Sequence, residues 1–141
     1  MKKIFTIFST LTLSVVLLAG CTKKSYYNGG DDTDYWMSKE YGVVAYADGY
    51  CPYMVIETYH GYTIIRSSGI QPYEGDEVYG DLSYMGYRSF YNYTDNTIFR
   101  GEVTDYWLSY ADAQYLIDNL CYNGYKGAEK KTIKQGLLKK K

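Results

Sequence analysis

The feature that most constrains the fold is a run of short apolar segments separated by turns of glycine, asparagine and aspartate. The chain contains 20 tyrosines and 14 glycines but only 2 prolines. Tyrosine favours strands, and glycine with asparagine or aspartate favours the turns between them. Strands are therefore predicted over residues 42–47, 53–59, 62–67, 76–84, 87–94 and 97–107, with a hairpin turn at His60-Gly61.

Alternation within two of these segments predicts which side chains they bury. Every second residue of a strand points to the same face. Apolar and polar residues alternate in both segments, so one face of each is expected to be buried. The predicted buried faces carry Val78, Leu82 and Tyr84 in one strand and Phe99, Val103 and Trp107 in the other.

A single helix is predicted after the last strand. Ser109 is a favourable N-cap, and Asp112 three residues later completes a capping-box pattern. Asn123-Gly124 is a typical helix stop. Between these signals one apolar stripe is formed by Ala113, Leu116, Ile117 and Leu120.

These elements predict a mainly β fold: a small antiparallel barrel of five to six strands with one C-terminal α-helix. Residues 42–46, the connection through Cys51, the hairpin at His60-Gly61 and residues 75–78 resemble the OB-like barrels of small envelope lipoproteins whose function is uncertain. The resemblance covers residues 41–106 and implies one barrel domain. The helix is not part of that layout.

The N-terminal stretch points to export. Lys2 and Lys3 precede an apolar run that ends in Leu18-Ala19-Gly20-Cys21. The run is about 15 residues, shorter than the roughly 20 that a membrane-spanning helix needs. It resembles the lipobox of a bacterial lipoprotein signal, which implies cleavage before Cys21, diacylglyceryl attachment to its sulfur and acylation with fatty acids such as palmitate. The alternative is an ordinary secretory signal with Cys21 as an incidental thiol.

The resemblance also implies a location and a domain organisation. In enteric lipoproteins an aspartate after the lipidated cysteine implies retention in the inner membrane, so Thr22 favours the outer membrane, on its periplasmic or surface face. The expected organisation is a signal peptide over residues 1–20, a flexible tether over 21–34, the barrel domain with its helix over 35–125 and a basic tail over 126–141.

Charge is divided unevenly along the chain. Residues 25–125 contain 15 acidic and 4 basic side chains, whereas residues 126–141 contain 7 lysines and one glutamate. The acidic body and the exported location argue against nucleic-acid binding, which needs a basic face. The tail is expected to be solvated and disordered, or else to contact anionic lipid or the domain's own acidic side chains.

Cysteine usage predicts one disulfide. With Cys21 lipidated, Cys51 and Cys121 remain as an even pair in an exported protein. Oxidising compartments favour pairing of such cysteines. The alternative is two free buried thiols.

No catalytic or zinc-binding pattern stands out. His60 is the chain's one histidine, and its position before a glycine is ordinary for a turn. We expect no cofactor and no metal. Calcium binding by the acidic loop remains open at Glu74, Asp76, Glu77 and Asp81.

The tyrosines suggest a binding surface, because each exposed ring offers a flat apolar face and a hydroxyl. The candidate binding face consists of Tyr59, His60, Tyr62, Tyr79, Tyr87, Tyr91 and Tyr93. The sequence therefore predicts a non-enzymatic, lipid-anchored module of the cell envelope that binds a protein or a glycan. The alternatives are an inhibitor or structural partner of another envelope protein and, more remotely, a small hydrolase using carboxylates.

Overall fold

The structure, a computed structural model, describes residues 29–123 and 130–138. The predicted signal peptide and Cys21 lie outside the described residues. Helix α1 (Gly29–Met37) precedes the strands, and helix α2 (Tyr110–Tyr122) follows them. Neither of these two helices, within the described ranges, has the length and apolar character needed to cross a membrane. The strands are β1 (Glu40–Asp48), β2 (Cys51–Thr58), β3 (Gly61–Ser67), β4 (Glu77–Gly80), β5 (Gly86–Asn92) and β6 (Thr97–Leu108).

The six strands form a closed antiparallel barrel in the order β1-β2-β3-β6-β5-β4, with β4 pairing back onto β1. The prediction of a small antiparallel barrel with a C-terminal helix is confirmed. Two three-stranded meanders make up the sheet, and the β3–β6 and β1–β4 ladders join them. An OB-fold has five strands, so this barrel contains one more.

The barrel interior is filled by apolar side chains from all six strands and from the loop after β4. Within it, Phe90 and Phe99 stack with ring centroids 5.2 Å apart. Burial of such side chains contributes roughly 1.5–3 kcal/mol each to the stability of the fold. The interior cluster is Val44, Met54, Ile56, Ile65, Val78, Leu82, Phe90, Phe99 and Val103.

A second apolar cluster lies outside the barrel, beneath α2. It explains why β1 and β2 are apolar without alternation: Val44 and Ile56 face the interior, whereas Ala45 and Val55 pack under the helix. A sheet covered on both faces reads as a continuous apolar run. The outer cluster is Ala45, Tyr46, Val55, Tyr62, Ile64, Ala113, Ile117 and Ile133.

The predicted disulfide is present between Cys51 and Cys121, whose Cα atoms are 5.4 Å apart. Cys51 is the first residue of β2 and Cys121 lies in the last turn of α2, so the bridge holds the end of the helix against the barrel. The predicted N-cap is also confirmed. The Ser109 hydroxyl accepts the Asp112 amide at 3.2 Å and donates to the Asp112 carboxylate at 2.6 Å.

Residues 130–138, hereafter the C-terminal segment, pack over this outer cluster. Ile133 is only 3% exposed, and its amide donates to Gln114 Oε1 at 2.8 Å. The Gly136 and Leu137 amides donate to the Glu57 carboxylate. The segment therefore makes the contact with the domain's own acidic side chains that the sequence left open, and it is not a disordered tail.

Three details differ from the sequence prediction. Residues 29–34, expected to be tether, are helical within α1, which packs against β4. Strand β4 ends at Gly80 instead of continuing to residue 84. The β2–β3 turn is Tyr59-His60, and Gly61 begins β3 with φ +121°, where a Cβ atom would lie 2.5 Å from the Leu108 carbonyl oxygen.

Candidate ligand-binding site

A row of aromatic side chains crosses the outer surface of β1, β4 and β5. Tyr41 pairs with Tyr79 across strands, and Tyr79 pairs with Tyr91. The Tyr41 and Tyr79 ring centroids are 5.3 Å apart, and further contacts of 6.0–6.4 Å extend the row at both ends. We call this row the aromatic band; its members are Trp36, Tyr41, Tyr59, Tyr79, Tyr91 and Tyr93.

The interior of the band is packed and its edges are exposed. Tyr79 and Tyr91 are buried, because neighbouring rings cover them and Trp36 stacks on Tyr91. Burial raises the pKa of Tyr41 to about 12 and also raises the pKa of Tyr79. Tyr59 and Tyr93 remain exposed at the edges. The band therefore offers a ligand two exposed rings beside two buried ones.

The structure brings together only part of the predicted binding face. Tyr59, Tyr79, Tyr91 and Tyr93 belong to the aromatic band, and His60 follows Tyr59 in the turn between β2 and β3. Two other members lie elsewhere. Tyr62 is buried beneath α2, where its ring packs 6.0 Å from Tyr110, so it cannot contribute to an exposed face. Tyr87 is exposed on another side of the barrel, with its hydroxyl accepting from Arg66 at 3.3 Å.

A cleft of about 510 Å³ opens where β1 begins and β6 ends. Ligand pockets in proteins typically measure roughly 300–1,000 Å³. His60 extends this region, because its ring lies 6.0 Å from that of Trp107. We call it the Trp107 cleft; it is lined by Glu40, Ser83, Tyr84, Met85, Arg88, Tyr106 and Trp107.

Trp107 is held at the cleft by an unusual backbone geometry. Tyr62 pairs with Leu108 and Ile64 pairs with Asp105, so β6 carries one extra residue at this point and forms a bulge. Trp107 lies in the bulge with φ +58°. Glycine is the usual residue at a left-handed bulge position, and a bulky side chain there is an outlier.

The Trp107 ring is exposed but fixed in position. It is 61% exposed, and its indole N–H donates to the Ser83 hydroxyl at 2.8 Å. The Tyr106 ring stands perpendicular to it with centroids 5.3 Å apart. These two contacts hold the exposed Trp107 ring in one orientation.

Two charged residues of opposite sign also line the cleft. Glu40 is the first residue of β1, and its Oε2 atom is buried without a hydrogen-bond partner among the described residues. Such an acceptor costs free energy until a donor reaches it. Arg88 is exposed, and its Nη1 donates to the neighbouring Tyr87 carbonyl at 3.0 Å.

The sequence prediction missed this cleft. It placed Tyr84 and Trp107 on buried strand faces, which is wrong, because Tyr84 lies beyond the end of β4 and Trp107 lies in the bulge. The one available signal was the run Tyr106-Trp107-Leu108, three large apolar residues that break the alternation of β6.

A larger cleft of about 790 Å³ lies at the opposite end of the barrel, beside the disulfide. Its partly exposed carboxylate is already paired: Glu74 binds Lys131 at 2.6 Å and Lys134 at 2.9 Å. Burial alone would raise the pKa of Glu74, but these two ammonium groups and the Ala47 amide hold it below the usual value. We therefore regard the Trp107 cleft as the better candidate.

The acidic loop does not converge on one point. Asp76 is buried and accepts from the Asn92 amide at 2.7 Å, Glu74 pairs with lysines of the C-terminal segment, and Asp81 pairs with Lys39 at 3.2 Å. Within residues 29–123 and 130–138, no group of three or more histidine, cysteine or acidic side chains is placed to hold a metal ion.

Comparison with protein-family models, with curated proteins and with solved structures finds no match to this chain.

Proposed function

We propose that this chain is a non-enzymatic, lipid-anchored module of the cell envelope that binds a ligand in the Trp107 cleft. The observation that carries the proposal is Trp107 itself, exposed at 61% and held at φ +58°. A left-handed conformation at a residue other than glycine costs about 1–3 kcal/mol and tends to occur at functional sites. Because the ring gains little from burial, contact with a ligand is the best account of why it is there.

The aromatic band supports the same function. Tyr59 is exposed at one end of the band, and the adjacent His60 touches Trp107, so exposed aromatic rings continue from the cleft onto the band. Aromatic side chains are enriched where proteins bind their partners, because a large rigid ring loses little conformational entropy.

The anchor rests on the lipobox resemblance of Leu18-Ala19-Gly20-Cys21. Two or more acyl chains give stable membrane attachment, whereas one chain gives only marginal attachment. Eight residue steps separate Cys21 from Gly29, the first residue of α1. At most about 3.5 Å per step, the domain stays within roughly 30 Å of the membrane.

Site-specific photo-crosslinking in growing cells tests the binding site. A photoreactive residue at Tyr84, in the cleft, is compared with one at Tyr115, an equally accessible tyrosine on α2 (59% and 69% exposed). We expect a crosslinked product from position 84 that disappears when Trp107 is replaced by alanine. No product from position 84, or equal products from both positions, would contradict the proposal.

Labelling with a fatty-acid analogue tests the anchor. Cys21→Ser is expected to abolish incorporation of the label and to release the protein from the membrane fraction. Cys51→Ser is the matched cysteine control and should retain the label. Unchanged membrane association of Cys21→Ser would rule out lipid anchoring at this residue.

A second candidate function is an inhibitor or structural partner of another envelope protein. The exposure of Tyr59 and Tyr93 at the edges of the aromatic band favours it, since these rings extend the apolar surface beyond the cleft. A crosslink from Tyr93 to a single protein, independent of Trp107, would support this alternative.

A further inference from the structure

We infer that the ligand of the Trp107 cleft is a glycan, with one sugar ring stacked on the Trp107 indole and its hydroxyl groups bonded to Glu40 and Arg88. This inference rests on the proposed function and names the chemical class of the ligand. Three properties of the cleft support it: a flat exposed ring, polar groups of both signs beside it, and a concave shape.

The exposed indole suits the apolar side of a sugar. A pyranose in its chair form presents axial C–H groups on a face and places its equatorial hydroxyl groups around the rim. The face of an aromatic ring is electron-rich and attracts the slightly positive hydrogens of such C–H groups. Stacking needs a ring that is accessible and correctly oriented. The hydrogen bond from Trp107 to Ser83 and the perpendicular Tyr106 ring provide that orientation.

The polar groups suit the rim of a sugar. Each hydroxyl can donate one hydrogen bond and accept two. Glu40 and Arg88 both line the cleft, so a carboxylate that accepts hydrogen bonds and a guanidinium that donates them lie beside the Trp107 ring. Neighbouring hydroxyl groups of one sugar can donate a hydrogen bond to the acid and accept one from the base. An uncharged ligand can therefore bind both side chains at once.

The shape of the site argues for a glycan over an extended peptide or a protein. Peptides commonly add a strand to an open sheet edge, but the six strands described here close into a barrel. A stable protein interface needs roughly 800 Å² from each partner. A cleft of about 510 Å³ is instead within the size range of small-ligand sites.

The chemistry of the crosslinked product distinguishes this inference from the proposed function. Cells carrying the photoreactive residue at Tyr84 are irradiated with or without prior treatment with periodate, which cleaves the vicinal diols of sugars. The crosslinked product is then purified and digested with proteinase K. If the ligand is a glycan, periodate abolishes the crosslink, and digestion of the untreated product leaves carbohydrate on the peptide that contains position 84.

A crosslink that resists periodate and that yields, after digestion, a second peptide and no carbohydrate on the peptide with position 84 would overturn the glycan inference while leaving the proposed function intact. Absence of any Trp107-dependent crosslink before treatment would overturn the proposed function. The two failures are therefore separable in one experiment.

Binding by the purified chain locates the contacts. The probe is the protease-digested polysaccharide fraction of the same envelope, titrated against the chain. We expect Glu40→Gln and Arg88→Ala each to weaken binding about tenfold, as expected for loss of one hydrogen bond to a charged group. Trp107→Ala should weaken binding further, and Tyr115→Ala should leave it unchanged. Equal affinity for Trp107→Ala and the unaltered chain would contradict the stacking contact.

Discussion

The two surfaces that flank β1 differ in how fully their side chains are covered and paired. Under α2, the helix, the disulfide and the C-terminal segment cover the barrel, and the acids Glu57 and Glu74 are paired with groups of the segment. At the Trp107 cleft a large ring is exposed, the backbone is left-handed, and a buried carboxylate oxygen lacks a described partner.

This difference separates stability from function. Interactions under α2 are mutually satisfied, which is what a stable fold requires. Departures from local rules tend to persist at functional sites, where another part of the structure offsets their cost. We therefore expect substitutions under α2 to lower stability, and substitutions in the cleft to lower binding while changing stability little.

The largest expected effect is removal of the disulfide. It joins residues 70 positions apart, and the chain-entropy model gives a stabilisation of about 4 kcal/mol for a loop of this size. Cys51→Ala/Cys121→Ala should lower the free energy of unfolding by about that amount, measured by urea denaturation. Reduction of the unaltered chain serves as the control and should give a similar loss. A reduced chain as stable as the oxidised one would show that the bridge does not hold this side together.

The next effect concerns how the C-terminal segment is attached. Ile133 is 3% exposed under α2, whereas Ile70 is 90% exposed in the loop before β4. Ile133→Ala should cost about 2–3 kcal/mol, because it removes buried methyl groups and leaves a cavity. Ile70→Ala, the matched control, should change stability by less than about 0.5 kcal/mol. Equal effects of the two substitutions would mean that the segment is not docked in solution.

A smaller effect depends on pH. Lys131 and Lys134 hold the pKa of Glu74 below its ordinary value, despite burial that would raise it. The pKa of Glu74 is lower in the folded chain than in the unfolded chain, where it is near 4.5. The ionised carboxylate therefore stabilises the fold fully above pH 4.5, and this stabilisation is lost as the pH falls through the folded-state pKa. Because the Lys131 and Lys134 side chains are 43% and 54% exposed, solvent screens the interaction and the contribution should be below about 1 kcal/mol.

Urea denaturation at pH 6, 4.5 and 3 tests this linkage. The unaltered chain should lose more stability on acidification than Glu74→Gln, which cannot titrate at this position. Parallel pH profiles for the two proteins would show that the lysine contacts do not stabilise the folded state.

The sequence predicts those features of the fold whose signals come from residues close together in the chain. The strands, the Ser109 cap and the Cys51–Cys121 pair each depend on nearby residues or on simple parity of cysteines, and the structure contains them. Helix α1 was missed because its sequence is polar and begins with two glycines. Its position depends on a distant contact, the stacking of Trp36 on Tyr91.

The candidate site was harder to predict for a physical reason. One extra residue in a strand moves every following side chain to the opposite face. Strand β6 has two such register shifts between Val103 and Leu108, so alternation counted from Val103 does not give the orientation of Trp107. The docking of the C-terminal segment was equally hard to predict. Its lysines are typical of a solvated tail, and the acids that bind it, Glu57 and Glu74, are distant in sequence.

The smallest expected effect on stability is at Trp107, and it tests the comparison most directly. Trp107→Gly should relieve about 1 kcal/mol of left-handed strain and lose a similar amount from the Tyr106 contact and the bond to Ser83. The net change should lie within about 0.5 kcal/mol.

Trp107→Ala loses the same contacts but keeps a Cβ at φ +58°, so it should be less stable than Trp107→Gly by roughly 1 kcal/mol. Both variants should lose the crosslink from position 84. If Trp107→Gly instead lowered the free energy of unfolding by several kcal/mol, Trp107 would be a stabilising residue like those under α2. Its exposed ring would then need no ligand to explain it.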